Sequence, residues 1–167
     1  METQNGIKLE NHYKVECIRQ GKVIWSDEFD NIVVTAGLND SLDKHLKGSG
    51  YTAAWYVGLV SGTPTVAAAD TMGSHAGWTE ITNYDEATRE VLTLGTVSAG
   101  SVDNSASVAS FAINAGVTVG GAFVTSVSTK GGTTGVLYGA GAFTGGNRAL
   151  LSGDTLNVTV TCSASAA

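Results

Sequence analysis

The sequence predicts an all-β chain, a jelly-roll-like or β-sandwich single domain with one short α-helix over about 36–47. Three observations carry this. The 167 residues include 22 glycines and are only 14% charged, and Ala, Ser, Thr and Val outnumber the Leu and Lys of helical proteins. Short alternating or continuously apolar runs recur at a spacing of roughly 8 to 15 residues. No βαβ alternation appears, which leaves antiparallel sheets as the architecture.

The elements follow in order. HYKVECIRQGKVIWSDEF alternates Tyr13, Val15 and Cys17 against Lys14 and Glu16, turns at Gln20-Gly21, and resumes with Val23 and Trp25. This is a hairpin pattern. NIVV is a short apolar segment. Thr35 then stands at an N-cap position, Leu38, Leu42 and Leu46 recur at i, i+4 and i+8, Lys44, His45 and Lys47 fill the last turn, and Gly48 follows, which defines the helix. AAWYVGLV reads as a buried strand ending in the turn SGTP. REVLTLGTV, SVASFAI, GAFVTSVS and TLNVTVTC are further strands, the last with Leu156, Val158, Val160 and Cys162 on one face. The glycine-dense run GGTTGVLYGAGAFTGG, 131–146, contains a strand-like VLY and reads as turns and bulges. It lacks the helix and the Gly-Lys-Ser/Thr of a phosphate cradle.

The domain is expected to span 12–163, with residues 1–11 as a flexible N-terminal arm and 164–167 as a short tail. A net charge of -6 and a pI near 4.8 argue against a nucleic-acid partner, because Lys8, Lys14, Arg19 and Lys22 are interleaved with acids and form no basic face. No apolar run is long enough for a membrane span, and METQNGIKLENHYK lacks the apolar core of a secretory signal, so a soluble protein made in a cytosol is expected. Cys17 and Cys162 match no zinc or redox spacing; buried free thiols are expected, with a disulfide as the alternative.

Catalytic chemistry finds little support. His12, His45 and His75 have no metal-ligand spacing. Asp27, Glu28 and Asp30, and Asp85 with Glu86, lack the register of a calcium loop, and in turns they read as solvated carboxylates rather than a hydrolase pair. No enzyme activity, cofactor or metal is therefore expected.

The run SHAGWTEITNYDEATRE, 74–90, concentrates a tryptophan, a histidine, an arginine and four carboxylates. Trp78, Tyr84, Asp85, Glu86 and Arg89 are the candidate protein-interface residues, since Trp, Tyr and Arg are enriched at hot spots. The same residues suit another role, with Trp78 packed on its own core and Glu80 or Asp85 paired with Arg89.

WYVGLVSGTPTVAAADTMGSHAGWTEITNYDEATRE, with NSASVASFAINAGVTVGGAFVTS, GGTTGVLYGAGAF and SGDTLNVTVTCSA, resembles a family of small virion structural proteins of tailed bacteriophages. The resemblance runs over roughly 23–163, and TMGSHAGWTEITNYDEATR is its most specific part. It implies a non-enzymatic capsid decoration, or cement, protein on the capsid exterior, made in the host cytoplasm. The implied partners are the major capsid protein and further copies of itself, as a dimer or trimer. A tail- or fibre-associated structural protein, or a carbohydrate-binding module stacking sugars on Trp78 or Tyr84, is the alternative.

Overall fold

The structure, a computed structural model, describes residues 6–50 and 54–166. In chain order the elements are β1 (Ile7–Arg19), β2 (Lys22–Asp30), β3 (Ile32–Val33), α1 (Thr35–His45), β4 (Tyr56–Ser61), β5 (Glu80–Ile81) and β6 (Glu90–Val91). There follow β7 (Ser101–Asp103), β8 (Ala109–Ala112), β9 (Val117–Thr125), β10 (Leu137–Ala142), β11 (Arg148–Leu150) and β12 (Thr155–Ala166). Antiparallel sheets and one short helix make a single domain.

A five-stranded sheet runs β2-β1-β12-β7, with β8 on the same edge of β12 as β7. A seven-stranded sheet runs β3-β10-β9-β4-β5, with β11 continuing the β10 edge of β9 and β6 continuing the β5 edge of β4. Period 2 sets which side chains meet. Tyr13, Val15, Phe29, Phe111, Leu156, Val158 and Val160 from the first sheet join Val57, Leu59, Ala122 and Val124 from the second in one buried cluster. The other face of the second sheet offers Val60, Phe123 and Ala140, covered by Met72 and Trp78 from the 62–79 connection and by Val34 ahead of α1.

The expected hairpin is present. Gln20 and Gly21 both take positive φ, 49° and 75°, the two-residue turn whose twist matches a β-hairpin. A register shift at Cys17/Ile18 leaves Ile24 as an extra residue on β2 and turns Val23 and Ile24 outward. Cys17 lies opposite Leu156 and Cys162 opposite Asn11, well separated along the sheet, and both thiols are free.

Four expectations need correction. The glycine-rich run 131–146 holds more than turns, bulges and a strand-like VLY, because the strand continues through the glycines as β10, Leu137–Ala142, paired on both sides by β3 and β9. Its glycines act as spacers: a Cβ on Gly141 would stand 2.9 Å from the Phe29 ring, so glycine lets the first sheet's aromatic close onto the second. Of REVLTLGTV only Glu90–Val91 is a strand; beyond it the backbone bonds irregularly, as from Gly95 N to Asp103 O. The third concerns the ends. Met1–Asn5 and Ala167 lie outside the described residues, but Ile7–Asn11 and Cys162–Ala166 pair with each other as the outer ends of β1 and β12. In this ribbon Asn11 is buried and Leu9, Cys162 and Ser163 are half-buried, while Ile7, Lys8, Glu10 and Ala164–Ala166 are exposed, so the polar character that suggested an arm and a tail belongs to its outer end.

The helix covers Thr35–His45. Thr35 is its first residue rather than its cap; Val34 occupies the cap position without a side-chain bond, and Thr35 N donates instead to Ala68 O at 2.8 Å.

Candidate functional site

The segment 74–90 starts on the 62–79 connection, passes through β5, crosses to the 112–114 turn and ends in β6. Trp78 is buried. Its indole Nε1–H donates to Asp70 Oδ2 at 3.0 Å, and that oxygen also accepts from Ala67 N. His75 stacks on one indole face, with centroids 3.8 Å apart, and its Nδ1–H donates to Trp78 O at 2.9 Å. Phe123 lies against the ring from the sheet side, at 5.1 Å.

Tyr84 is also buried. Its ring meets Phe111 edge-on at 5.0 Å, and Lys130 Nζ sits 4.1 Å from the ring centroid. The same ammonium donates to Tyr84 O and Glu86 O at 2.8 and 2.7 Å. Burial, reinforced by the Glu80 carboxylate, pushes the Tyr84 phenol well above its ordinary range.

Arg89 is 0% exposed. Nε and Nη2 donate to Glu80 Oε1 and Oε2 at 2.8 and 2.7 Å. Nη1 donates to Val127 O and Nη2 to Gly132 O, each at 2.8 Å. The guanidinium carbon stands 5.2 Å from the Phe123 ring centroid. Glu80 Oε2 accepts a further bond from Gly131 N at 3.0 Å. The planar fork matches the carboxylate, and the two carbonyls take two more donors, so four of the five N–H groups are bonded and the buried charge is paired.

Asp85 and Glu86 complete the run. Asp85 is exposed and accepts from Asn114 Nδ2 at 3.2 Å. Glu86, half-buried, accepts the Ala112 N–H at 3.1 Å.

Of the five residues expected at a protein interface, the structure therefore buries Trp78, Tyr84 and Arg89 in the chain's own interior and ties Glu86 to β8. Only Asp85 faces outward. The correction has a physical cause: residue types that carry hot spots also carry cores, and here Glu80, Asp70 and the 127–132 loop supply their partners. Nor does either aromatic offer a sugar-stacking face, because His75 and Phe123 occupy Trp78 and Phe111 and Lys130 occupy Tyr84.

The other carboxylates are also engaged. Asp27 is buried and accepts from Thr144 N and Gly145 N at 3.2 and 2.8 Å. Asp30 and Glu28 flank His12, at 2.9 and 3.5 Å. Among the described residues, no three His, Cys, Asp or Glu side chains group as a metal site, and no helix is long and apolar enough to cross a membrane. Burial pushes the Cys17 and Cys162 thiols up to about 11.

Two residues absent from the sequence reading anchor the first sheet. Asp154, buried at the start of the last strand, takes Arg19 in a two-bond fork at 2.6 and 2.8 Å and accepts Leu151 N. Asn104 bridges β12, its Oδ1 accepting from Val160 N at 2.7 Å and its Nδ2 donating to Val158 O at 3.3 Å. An Asp after Ser-Gly and an Asn in a turn are the local signals, but their partners lie far away in sequence. No protein-family model matches the chain, and no curated protein matches it.

Proposed function

We propose that this chain is a non-enzymatic structural protein of a tailed-bacteriophage virion, a decoration or cement protein that binds the outer surface of the capsid shell. In this reading its two sheets form a β-sandwich of the jelly-roll-like kind. Its partners are the major capsid protein and further copies of itself, as a dimer or trimer, assembled on the capsid exterior after synthesis in the host cytoplasm.

The observation that carries this reading beyond the sequence resemblance is the terminal ribbon. Ile7–Glu10 pair with Ser163–Ala166, and among the described residues no further strand pairs with the Ile7–Glu10 edge. Ile7 at its tip is 79% exposed. The ribbon's β12 side is flanked by Ser101 opposite Ser163 and by Gly100 O, which accepts from Ala164 N, so its open side is the Ile7–Glu10 edge. An open strand edge is a strand-addition element and suits capture by a neighbouring subunit of a shell. The two arms expected from composition become one paired arm.

The remaining features fit. A net charge of -6 disfavours contact with packaged DNA. Asp85, with exposed Ala87 and Thr88, is the shell-facing part of the 74–90 segment, and buried Trp78, Tyr84 and Arg89 hold its shape. Binding only to the assembled lattice stabilises that lattice by mass action, repeated over many sites.

The test is co-sedimentation of the purified protein with phage capsids lacking it, followed by cryo-electron microscopy of the pellet. Saturable binding, weakened when residues 1–10 are removed, is expected, with density at regular positions over the shell. Shells that take up no protein would overturn the proposal.

A further inference from the structure

Helix α1 is folded with its amphipathic pattern reversed. Gly37 is its buried residue, and a Cβ there would stand 2.9 Å from Tyr138 Cα, so the helix meets β10 backbone to backbone through glycine. Asp40, Ser41 and Lys44 share this half-buried side. Leu38, Leu42 and Leu46 stand about 100°, 140° and 180° round the helix from Gly37, and are 40%, 58% and 75% exposed. A helix on a globular domain ordinarily turns such a stripe inward. Here the glycine contact fixes the orientation, and three leucines in a row are held out to solvent.

We infer that this face pairs with the same face of a second copy of the chain, two α1 helices crossing antiparallel about a two-fold axis at Leu42. The inference deepens the self-association in the proposed function and does not depend on the capsid assignment.

Three features select a copy of the chain as the occupant. The first is symmetry. An isologous contact needs a self-complementary patch, and a ridge spaced i, i+4, i+8 is symmetric about its middle member. A two-fold at Leu42 sets Leu38 of one copy beside Leu46 of the other, and i±4n ridges interlock at a crossing angle of about -50°.

The second is shape. Beside the ridge runs an open groove of about 720 Å³, walled by Leu42 and Leu46 with Ala36 and Val136 also lining it. Each copy thus offers a ridge and a groove to receive one. The third is charge. Asp40 and Asp43 line the groove, whereas the last turn carries Lys44 and His45 and Lys47 follows. Within the groove Asp43 already pairs with Lys47 at 3.1 Å, which leaves Asp40 as its one uncompensated lining charge, so nearly all of the chain's net charge of -6 lies outside this face and does not repel a copy there. Antiparallel copies also oppose the two helix dipoles, whereas parallel copies align them.

The test is sedimentation velocity of the full-length protein over a wide concentration range, beside L42K. Leu42 is exposed, so the variant leaves the core intact, which far-UV circular dichroism checks. The wild-type chain is expected to form a concentration-dependent dimer, and L42K to weaken it by about tenfold or more. A second set of variants reports geometry without disrupting it. Under mild oxidation L42C is expected to cross-link to itself, and a mixture of L38C and L46C to give the mixed disulfide, with the unsubstituted chain as control.

A wild-type protein that stays monomeric, a dimer that L42K leaves intact, or self-linking of L38C would each overturn the inference. Shell binding by the same variants separates the two claims. A monomeric wild-type protein that still decorates shells overturns only the α1 pairing; an L42K-sensitive dimer that binds no shell overturns only the capsid assignment.

Discussion

Arg89 and Glu80, nine residues apart in sequence, meet as a buried two-bond fork at 2.8 and 2.7 Å, and two further guanidinium N–H groups end on Val127 O and Gly132 O. One side chain thereby joins β5, β6 and the loop between β9 and β10. Replacing it with alanine leaves a carboxylate and two carbonyls without their donor. R89A is expected to lose about 3–5 kcal/mol of unfolding free energy in urea. R89K, which keeps the charge but not the fork, is expected to recover less than half of that loss. An R89A loss under about 1 kcal/mol would show that the pair is solvated rather than buried.

Trp78 separates hydrogen bonding from packing. W78F keeps an aromatic ring between His75 and Phe123 but removes the donor to Asp70, so a cost of about 1–2 kcal/mol is expected. W78A also empties the cavity and is expected to cost about 3–5 kcal/mol. Equal losses for the two would mean that the Asp70 bond, not the stacking, holds this loop.

Acid sensitivity is expected to involve Asp154. Its hydrogen bonds from Arg19 hold the carboxyl below the usual aspartate value, against the opposing effect of burial. A depressed folded pKa gives stability that is fully present above the unfolded value, about 3.9, and is lost as pH falls through the folded value. D154N is expected to destabilise the protein at neutral pH by about 1–3 kcal/mol and to flatten the acid limb of stability against pH below about pH 4. An acid limb unchanged in D154N would assign acid unfolding to other carboxylates.

Gly141 is expected to resist enlargement. A methyl there would stand 2.9 Å from the Phe29 ring and 3.0 Å from Asp30 O, and the sheets must separate to admit it. G141A is expected to lower stability by about 1–3 kcal/mol, whereas G146A, at a loop position with nothing near its Cβ, is expected to lose only the smaller cost of its positive φ. Thermal unfolding of the pair checks the order.

The sequence was informative where the deciding interaction is local. Gln20-Gly21 and the alternation on either side of it specify the first hairpin without outside help, and Leu156, Val158 and Val160 show their buried face by period alone. Strand β10 showed only its start, as VLY, because Gly139 and Gly141 further along it answer to Asn31 and Phe29, contacts more than a hundred residues distant in the chain. The helix could be located from Leu38, Leu42 and Leu46, but its rotation could not, since Gly37 against Tyr138 decides it. The 74–90 segment shows the same limit more sharply. Trp, Tyr and Arg have one composition at an interface and in a core, and only the positions of Asp70, Glu80 and the 127–132 carbonyls separate the two.

The register that sets Ile7 directly opposite Ala166 has a use in protein engineering. A short linker between these positions closes the chain into a ring, and cutting that ring at the exposed Gln20-Gly21 turn produces a circular permutant with the same strand pairings. The same adjacency means that peptides joined directly at Ile7 and Ala166 start side by side, so one subunit presents a matched pair of guests at a single point.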